Sequence, residues 1–416
     1  TPAFFRALIK NDTWVETAVL PGGTNRFQHT ARFNAFLLPN LAGHWSRKPT
    51  DEENRVMPFR AADIPDSMDL TSADLHYFHM WGDSLCTVES IERAAKTLKI
   101  VETPGWPMGA QGKFEYEIFN VREGLTPGRW CLDRKAGKAY YRPLAGEDLA
   151  KLEFVRPVLK HVLVISKCKN VTLDGIVVTA ATPELKDRVS YGGAGLPAAV
   201  DLHDVEGLVL NRVRVTNVGG MGLSAGGCNG LKATDCEFSF TGACALQLSA
   251  KGALVERCLI ADAGKVHRAS SGTFVSGREV VLRGNEIRNI PYSGIIGFGN
   301  RNRFETNYIH HVMRVFHDGA AIYGLHVDGV MRGNVVRDVV ACGTGFGVHA
   351  YYADEGSRNT IVEGNYAEGM PVPIHNHMSA GIVVRDNTLV NRGGDLVISF
   401  ERSVESTFAD NRLVCG

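Results

Sequence analysis

Two aspartates stand where acid–base chemistry could be done. Asp318 lies in His317-Asp-Gly-Ala-Ala-Ile-Tyr323, and Asp354 follows about thirty residues later in Tyr351-Tyr-Ala-Asp-Glu-Gly-Ser357. Two carboxyl groups facing a cleft are the minimum kit for glycoside hydrolysis. One protonates the leaving oxygen and the other serves as nucleophile or base at the anomeric carbon. A carboxyl buried beside another is harder to ionise, which supplies the acid at neutral pH. Side chains suited to holding a sugar gather nearby: His317, Tyr323, His349, Tyr351, Tyr352, Glu355, His375 and His377. Each also has a plainer reading. Asp318-Gly319 could open a strand from a turn, Asp354-Glu355-Gly356 could be a solvated loop tip, and the histidines could be hydrogen-bonded spacers on a polar face.

The elements that must position these residues are legible as a repeat. From about residue 165, segments of alternating apolar residues recur, and the later copies carry a marker asparagine: Asn285, Asn307, Asn334, Asn365, Asn387 and Asn411. Their spacings are 22, 27, 31, 22 and 24. A floor of 22 with occasional excess is expected of a parallel β-helix, where three short strands and three turns return the chain one strand spacing further on. The fold class is therefore all-β. Residues 155–416 are expected to form a right-handed parallel β-helix of about ten coils with very little helix. The asparagines would stack at one turn, where they can form a ladder and tolerate left-handed geometry. Cys236 and Cys258 share this register and read as stacked core thiols. Asp174, Asp235, Asp338 and Asp410 read as structural turn residues.

Residues 1–154 lack the repeat. Leu75-His-Tyr-Phe-His-Met-Trp81 alternates like a strand, and 128–143 reads as a hairpin turning at Lys135-Ala-Gly137. This half is expected to be a β-rich, sandwich-like accessory module packed on the β-helix, with a short helix at Ser90–Leu98. Coil insertions, the longest between Val178 and Leu208, are loops on a rigid stack and suit a binding site. Those around Tyr191, His267 and Asp354 should rise on the side carrying Asp318. Aligning coils by their asparagines sets Asp318 at a strand head between Ser293 and Thr344. Asp354 falls in the most extended loop, which could fold back toward it. A rigid base at Asp318 with a loop-borne acid at Asp354 is one division of roles; the reverse is equally open.

Composition narrows the function. The chain has 416 residues with 45 acidic and 45 basic side chains, so it offers no field for nucleic acid and mildly disfavours a densely anionic polymer. The 45 glycines and 16 prolines fit many short strands joined by turns. No apolar stretch reaches the roughly 18 residues of a membrane span. The nine cysteines form no CxxC pair and no zinc spacing, so no metal is expected. No cofactor is indicated, with calcium left open. The opening Thr1-Pro2-Ala3-Phe4-Phe5 reads as a processed or trimmed end without a signal-like start.

The paired aspartate motifs resemble those of β-helical glycoside hydrolases, family 141 above all, with family 120 as a relative. The 128–143 hairpin is similar to one that precedes the helix in such proteins. The resemblance implies Asp318 and Asp354 as the catalytic pair, hydrolysis of a plant or microbial cell-wall glycan with fucosidase, xylanase or xylosidase-like activity, and a secreted or periplasmic location. The partner would be an oligo- or polysaccharide. Ala320 stands where such proteins often have glycine, and Ala353 replaces a bulkier apolar residue. Two alternatives remain. A polysaccharide lyase or uronate epimerase would use a positive group near the substrate carboxylate, for which Arg301, Arg303, Arg314, His311 and His317 are candidates. A non-catalytic carbohydrate-binding β-helix would leave Asp318 and Asp354 far apart or on different faces.

Overall fold

The computed structural model describes residues 5–35, 45–112, 114–184, 191–339 and 346–416. The chain divides into two compact units, Thr1–Arg156 and Pro157–Gly416.

The first unit is built on one seven-stranded sheet and two three-stranded sheets. Met57, Ile64, Leu75, Tyr77 and Tyr116 form the heart of its apolar core. The 128–143 hairpin is present as Arg129–Asp133 paired antiparallel with Lys138–Tyr141. Ser90–Leu98 is not a helix. It is the end of the Asp83–Glu92 strand, a turn, and the start of Thr97–Ile100, paired antiparallel. Thr87, Val88, Ile91 and Ile100 favour the pleated strand, and the burial alternates every second residue from Asp83 to Val88. The short helix lies elsewhere, at Asp51–Arg55, behind a Thr50/Glu53 capping box.

The second unit is a parallel β-helix of three ten-stranded sheets, every strand paired to the one a coil later. Among the described residues its one helical element is the single turn Tyr191–Gly193. Columns of like residues fill the interior: Leu210, Ala233, Val255, Leu282, Phe304, Met331, Val362 and Val384 are all at most 2% exposed. The asparagine ladder is continuous. Asn285, Asn307, Asn334, Asn365 and Asn387 each donate from Nδ2 to Oδ1 of the next asparagine at 2.9–3.0 Å. The same Oδ1 accepts the backbone N–H of the asparagine below, as in Asn307 N–H to Asn334 Oδ1 at 3.0 Å. One buried amide thus satisfies main-chain groups that the turn would otherwise orphan.

One detail of the turn differs from expectation. The asparagines are not left-handed; the residue before each is, as with Thr306 (φ 52°), Asp386 (φ 57°) and Asp410 (φ 53°). Glycine takes this place at Gly284, Gly333 and Gly364. Cys258 and Cys236 extend the ladder in the earlier coils: Cys258 N–H donates to Asn285 Oδ1 at 2.9 Å and Cys236 N–H to Cys258 Sγ at 3.4 Å. Both thiols are free and buried.

Candidate active site

One sheet of the β-helix carries every outward-facing candidate. Its strands Gly319–Val327, Val348–Ala353, Ile374–His377 and Ile398–Glu401 pair in parallel, in that order. Asp354 directly follows the second of these. Its N–H donates to Gly324 O at 3.0 Å, so it caps a strand rather than riding on a free loop. His377 Nδ1 lies 3.0 Å from Asp354 Oδ1, and Arg402 Nη2 lies 2.6 Å from His377 Nε2. A guanidinium can only donate. His377 Nε2 must therefore accept, which leaves its ring proton on Nδ1, aimed at Asp354.

Tyr323 donates its phenolic proton to Asp354 Oδ2 at 2.8 Å, and the Tyr352 phenol also bonds this carboxylate. Burial pushes both phenols far above the ordinary range, helped by Tyr191 and then Asp354 at Tyr323 and by Asp354 and Asp318 at Tyr352, so both stay protonated donors. Asp354 thus sits among donors only, the surroundings of an acceptor carboxylate.

Asp318 sits at the other end of this surface. It is half-buried and left-handed, with φ 56°, a conformation that aspartate tolerates better than most residues. Its N–H donates to Gly347 O at 2.7 Å, and its carbonyl accepts from Tyr292 Oη at 2.8 Å. Having given its proton there, Tyr292 must accept from Tyr191, 2.9 Å away. That bond pins the Tyr191 insertion to the Asp318 corner. The insertion also needs its glycines: a Cβ on Gly193 (φ +75°) would lie 2.2 Å from Ser270 Oγ, in the segment after His267. The Tyr191 and His267 insertions therefore pack together on the Asp318 side.

The pairing register corrects the alignment by asparagines. Ser293 falls opposite Ala320, two residues beyond Asp318. Thr344 lies outside the described residues. Asp318 falls opposite Gly347 and Asp354 opposite Leu325, a shift of seven strand positions. That is roughly 23 Å between Cα atoms in fully extended chain. The two aspartates do not touch. They stand at opposite ends of one tyrosine floor, and both charges act on the Tyr191 and Tyr352 phenols.

The remaining candidates divide by side of the strand. Tyr351 points inward, bonding Asn334 O and Tyr366 O at 3.2 Å each, and is 1% exposed. Strand alternation puts Tyr352 on the floor and its neighbour in the core, so Tyr351 is not a sugar-facing residue. His317 is 3% exposed and belongs to the wall behind Asp318. The amides of Ala350 and Tyr351 both donate to Pro373 O, a bulge that keeps His349 on the Tyr352 side. His349 stacks on His375 at 4.6 Å, and Tyr352 meets His375 edge-on at 4.5 Å. Burial lowers both histidines to about 4, so they are neutral at neutral pH. Glu355 points to solvent.

Tyr191, Tyr292 and Arg402 complete the site and were not singled out from sequence. Arg402 had a signal: Asp354, His377 and Arg402 are spaced 23 and 25 apart, one coil each. An open groove of about 590 Å³ lies along the same end of earlier strands in this sheet, lined by residues such as Asn229, Ser249, Lys251, Arg278 and Asn300. Neither aspartate lines it. Gly299 and Asn300 on its border pair with His326 and Val327, next to the Leu325 level that Asp354 occupies.

The comparisons with known proteins agree with this fold. A family model described as "Right handed beta helix region" matches residues 198–354. A solved structure described as a glycoside hydrolase superposes with a TM-score of 0.72 at 17% identity, covering 99% of this chain and 77% of that one. At that identity the likeness is one of fold: a right-handed β-helix with a β-rich N-terminal part. The surface adhesin PfbA of Streptococcus pneumoniae matches at TM-score 0.42 and 10% identity, over 62% of this chain and 75% of that chain. The GH87 alpha-1,3-glucanase from Streptomyces thermodiastaticus strain HF3-3 matches at TM-score 0.35 and 11% identity, over 95% and 97%. No curated protein matches the chain.

Proposed function

We propose that the chain is a glycoside hydrolase acting on a cell-wall glycan, similar to families 141 and 120, with Asp354 as its central carboxylate. The observation that carries this reading is the half-buried Asp354 held by Tyr323, Tyr352 and the Arg402–His377 relay. Donors on every side suit a base or nucleophile. Asp318, across the tyrosine floor, is the proposed acid. This reverses the division in which the strand-head residue is the base. Aspartates set apart on one sheet also suit a non-catalytic carbohydrate-binding β-helix, which would release no reducing ends; retention and inversion are told apart by the anomer released first.

The lyase or epimerase alternative would draw on Arg314, His311 or His317 rather than on Arg301 and Arg303. Arg301 is bound to Glu279 and Arg303 to Glu305, both at 2.6 Å. The experiment is incubation with plant and microbial glycans and an aryl glycoside panel. Hydrolysis yields new reducing ends, and the anomer seen first by NMR assigns retention or inversion. Ultraviolet-absorbing unsaturated products would replace this reading with a lyase.

A further inference from the structure

A second cluster lies on a different sheet of the β-helix, away from the tyrosine floor. His310 and His311 lie within the strand Tyr308–Val312, and Asp338 lies on Val335–Val339, one coil later. Their ligating atoms, one from each residue, all lie within 4.8 Å of one another. Adjacent residues of a strand normally face opposite ways. Here His311 is left-handed, with φ 53°, and this turns its ring to the same side as His310. The two Nδ1 atoms are 2.7 Å apart, and His311 Nδ1 is 3.8 Å from Asp338 Oδ2.

The protonation pattern is that of a ligand set. His310 Nε2 lies 3.2 Å from Glu286 Oε1, so its ring N–H faces the carboxylate and its Nδ1 lone pair faces His311. Glu286 is itself held by Arg288 Nε at 3.1 Å. A carboxylate behind a histidine is the outer contact that orients metal-bound imidazole. Two Nδ1 atoms at 2.7 Å need a proton between them, and a cation can take that proton's place. In a tetrahedral zinc site, ligand atoms are ~3.3 Å apart, a value that the 2.7 and 3.8 Å separations bracket. The side chains of His311 and Asp338 are 49% and 56% exposed, which leaves room for water to complete the coordination.

We infer that His310, His311 and Asp338 form a surface site for a divalent first-row transition metal, zinc above all, clipping one coil to the next. Nitrogen-rich ligands favour such an ion over calcium or magnesium. The test is calorimetric titration of the chelator-treated full chain with zinc chloride, with melting temperature followed with and without zinc. Wild type should bind one zinc at micromolar or lower concentration and melt higher with it. His311→Asn, which suits the left-handed position, and Asp338→Asn should each weaken binding at least tenfold and lose the zinc-dependent rise. Their zinc-free melting temperatures should stay near wild type. His203→Ala, at the other exposed histidine–aspartate contact, should bind as wild type does. Absence of saturable binding by wild type, or binding unchanged in both Asn variants, overturns the site.

Discussion

Each unit holds a carboxylate in a dense polar network, and the two networks are built to opposite ends. In the N-terminal unit Asp74 is 2% exposed, with Arg6 Nε at 3.0 Å and Arg134 Nη2 at 2.6 Å. Burial pushes its carboxyl up, but the two guanidiniums outweigh this and hold it at about 2. Nearby His76 is enclosed by Asp83 and Glu117. Arg26 joins them at 2.8 Å from Glu117, and every one of these carboxylates is at most 3% exposed at its side chain. In the β-helix, Asp354 has as many donors but stands half-buried at a strand end, with the tyrosine floor before it. Hydrogen bonding alone does not mark a site. What separates the two is exposure: the Asp354 side chain is 20% exposed and that of Asp74 3%.

The comparison can be broken from the structural side first. Asp74→Ala leaves two buried guanidiniums uncompensated and should cost about 3–5 kcal/mol of stability, read by denaturant unfolding. A loss under about 1 kcal/mol would mean that the cluster is not structural. Asn334→Ala removes the acceptor for Asn307 and the donor to Phe304 O. It should cost about 2–4 kcal/mol, with turnover preserved while the chain is folded.

Acid separates the networks by pH window. His349 and His375 titrate near 4 in the folded chain against an ordinary 6.5. The unfolded chain takes up their protons first, so their contribution is complete above about 6.5 and falls away toward pH 4. The Asp74 contribution is complete above about 4 and is lost as pH falls toward 2. Melting temperature against pH should therefore fall over both windows; His29, His79 and His326, also lowered by burial, share the upper one, so His375→Asn should reduce that fall in part and Asp74→Ala the lower. The smallest effect is expected of Tyr323→Phe, which deletes one donor to Asp354 and should lower turnover about tenfold, or ~1.4 kcal/mol of barrier.

The fold was readable because its signal is periodic. Asn285 through Asn411 mark the same turn of successive coils, and the apolar columns follow from that register. The candidate site was readable only in part. Asp354, Tyr323, Tyr352 and His377 come together because strand pairing stacks them, and coil spacing exposes that. Tyr351 is next to Tyr352 in one strand, so alternation sends it into the core, whereas the bulge at Ala350 that keeps His349 beside Tyr352 is invisible to spacing. Asp318 was misaligned by two residues because marker asparagines fix one turn, while loops of unequal length intervene before the next strand. Tyr191 sits in an insertion, whose path no period reports.

Asp354 is proposed to do chemistry whereas Asp74 holds structure, and one paired measurement separates the two roles. Asp354→Asn and Asp74→Asn are compared for turnover of a cleavable glycoside and for melting temperature under the same conditions. Asp354→Asn should lower turnover at least a hundredfold, about 3 kcal/mol of barrier, at an unchanged melting temperature. Asp74→Asn should do the reverse, melting lower with turnover kept below its melting point. Asp318→Asn, run alongside, should match Asp354→Asn if it is the acid. Near-wild-type turnover in Asp354→Asn would contradict the account and turn attention to Glu355.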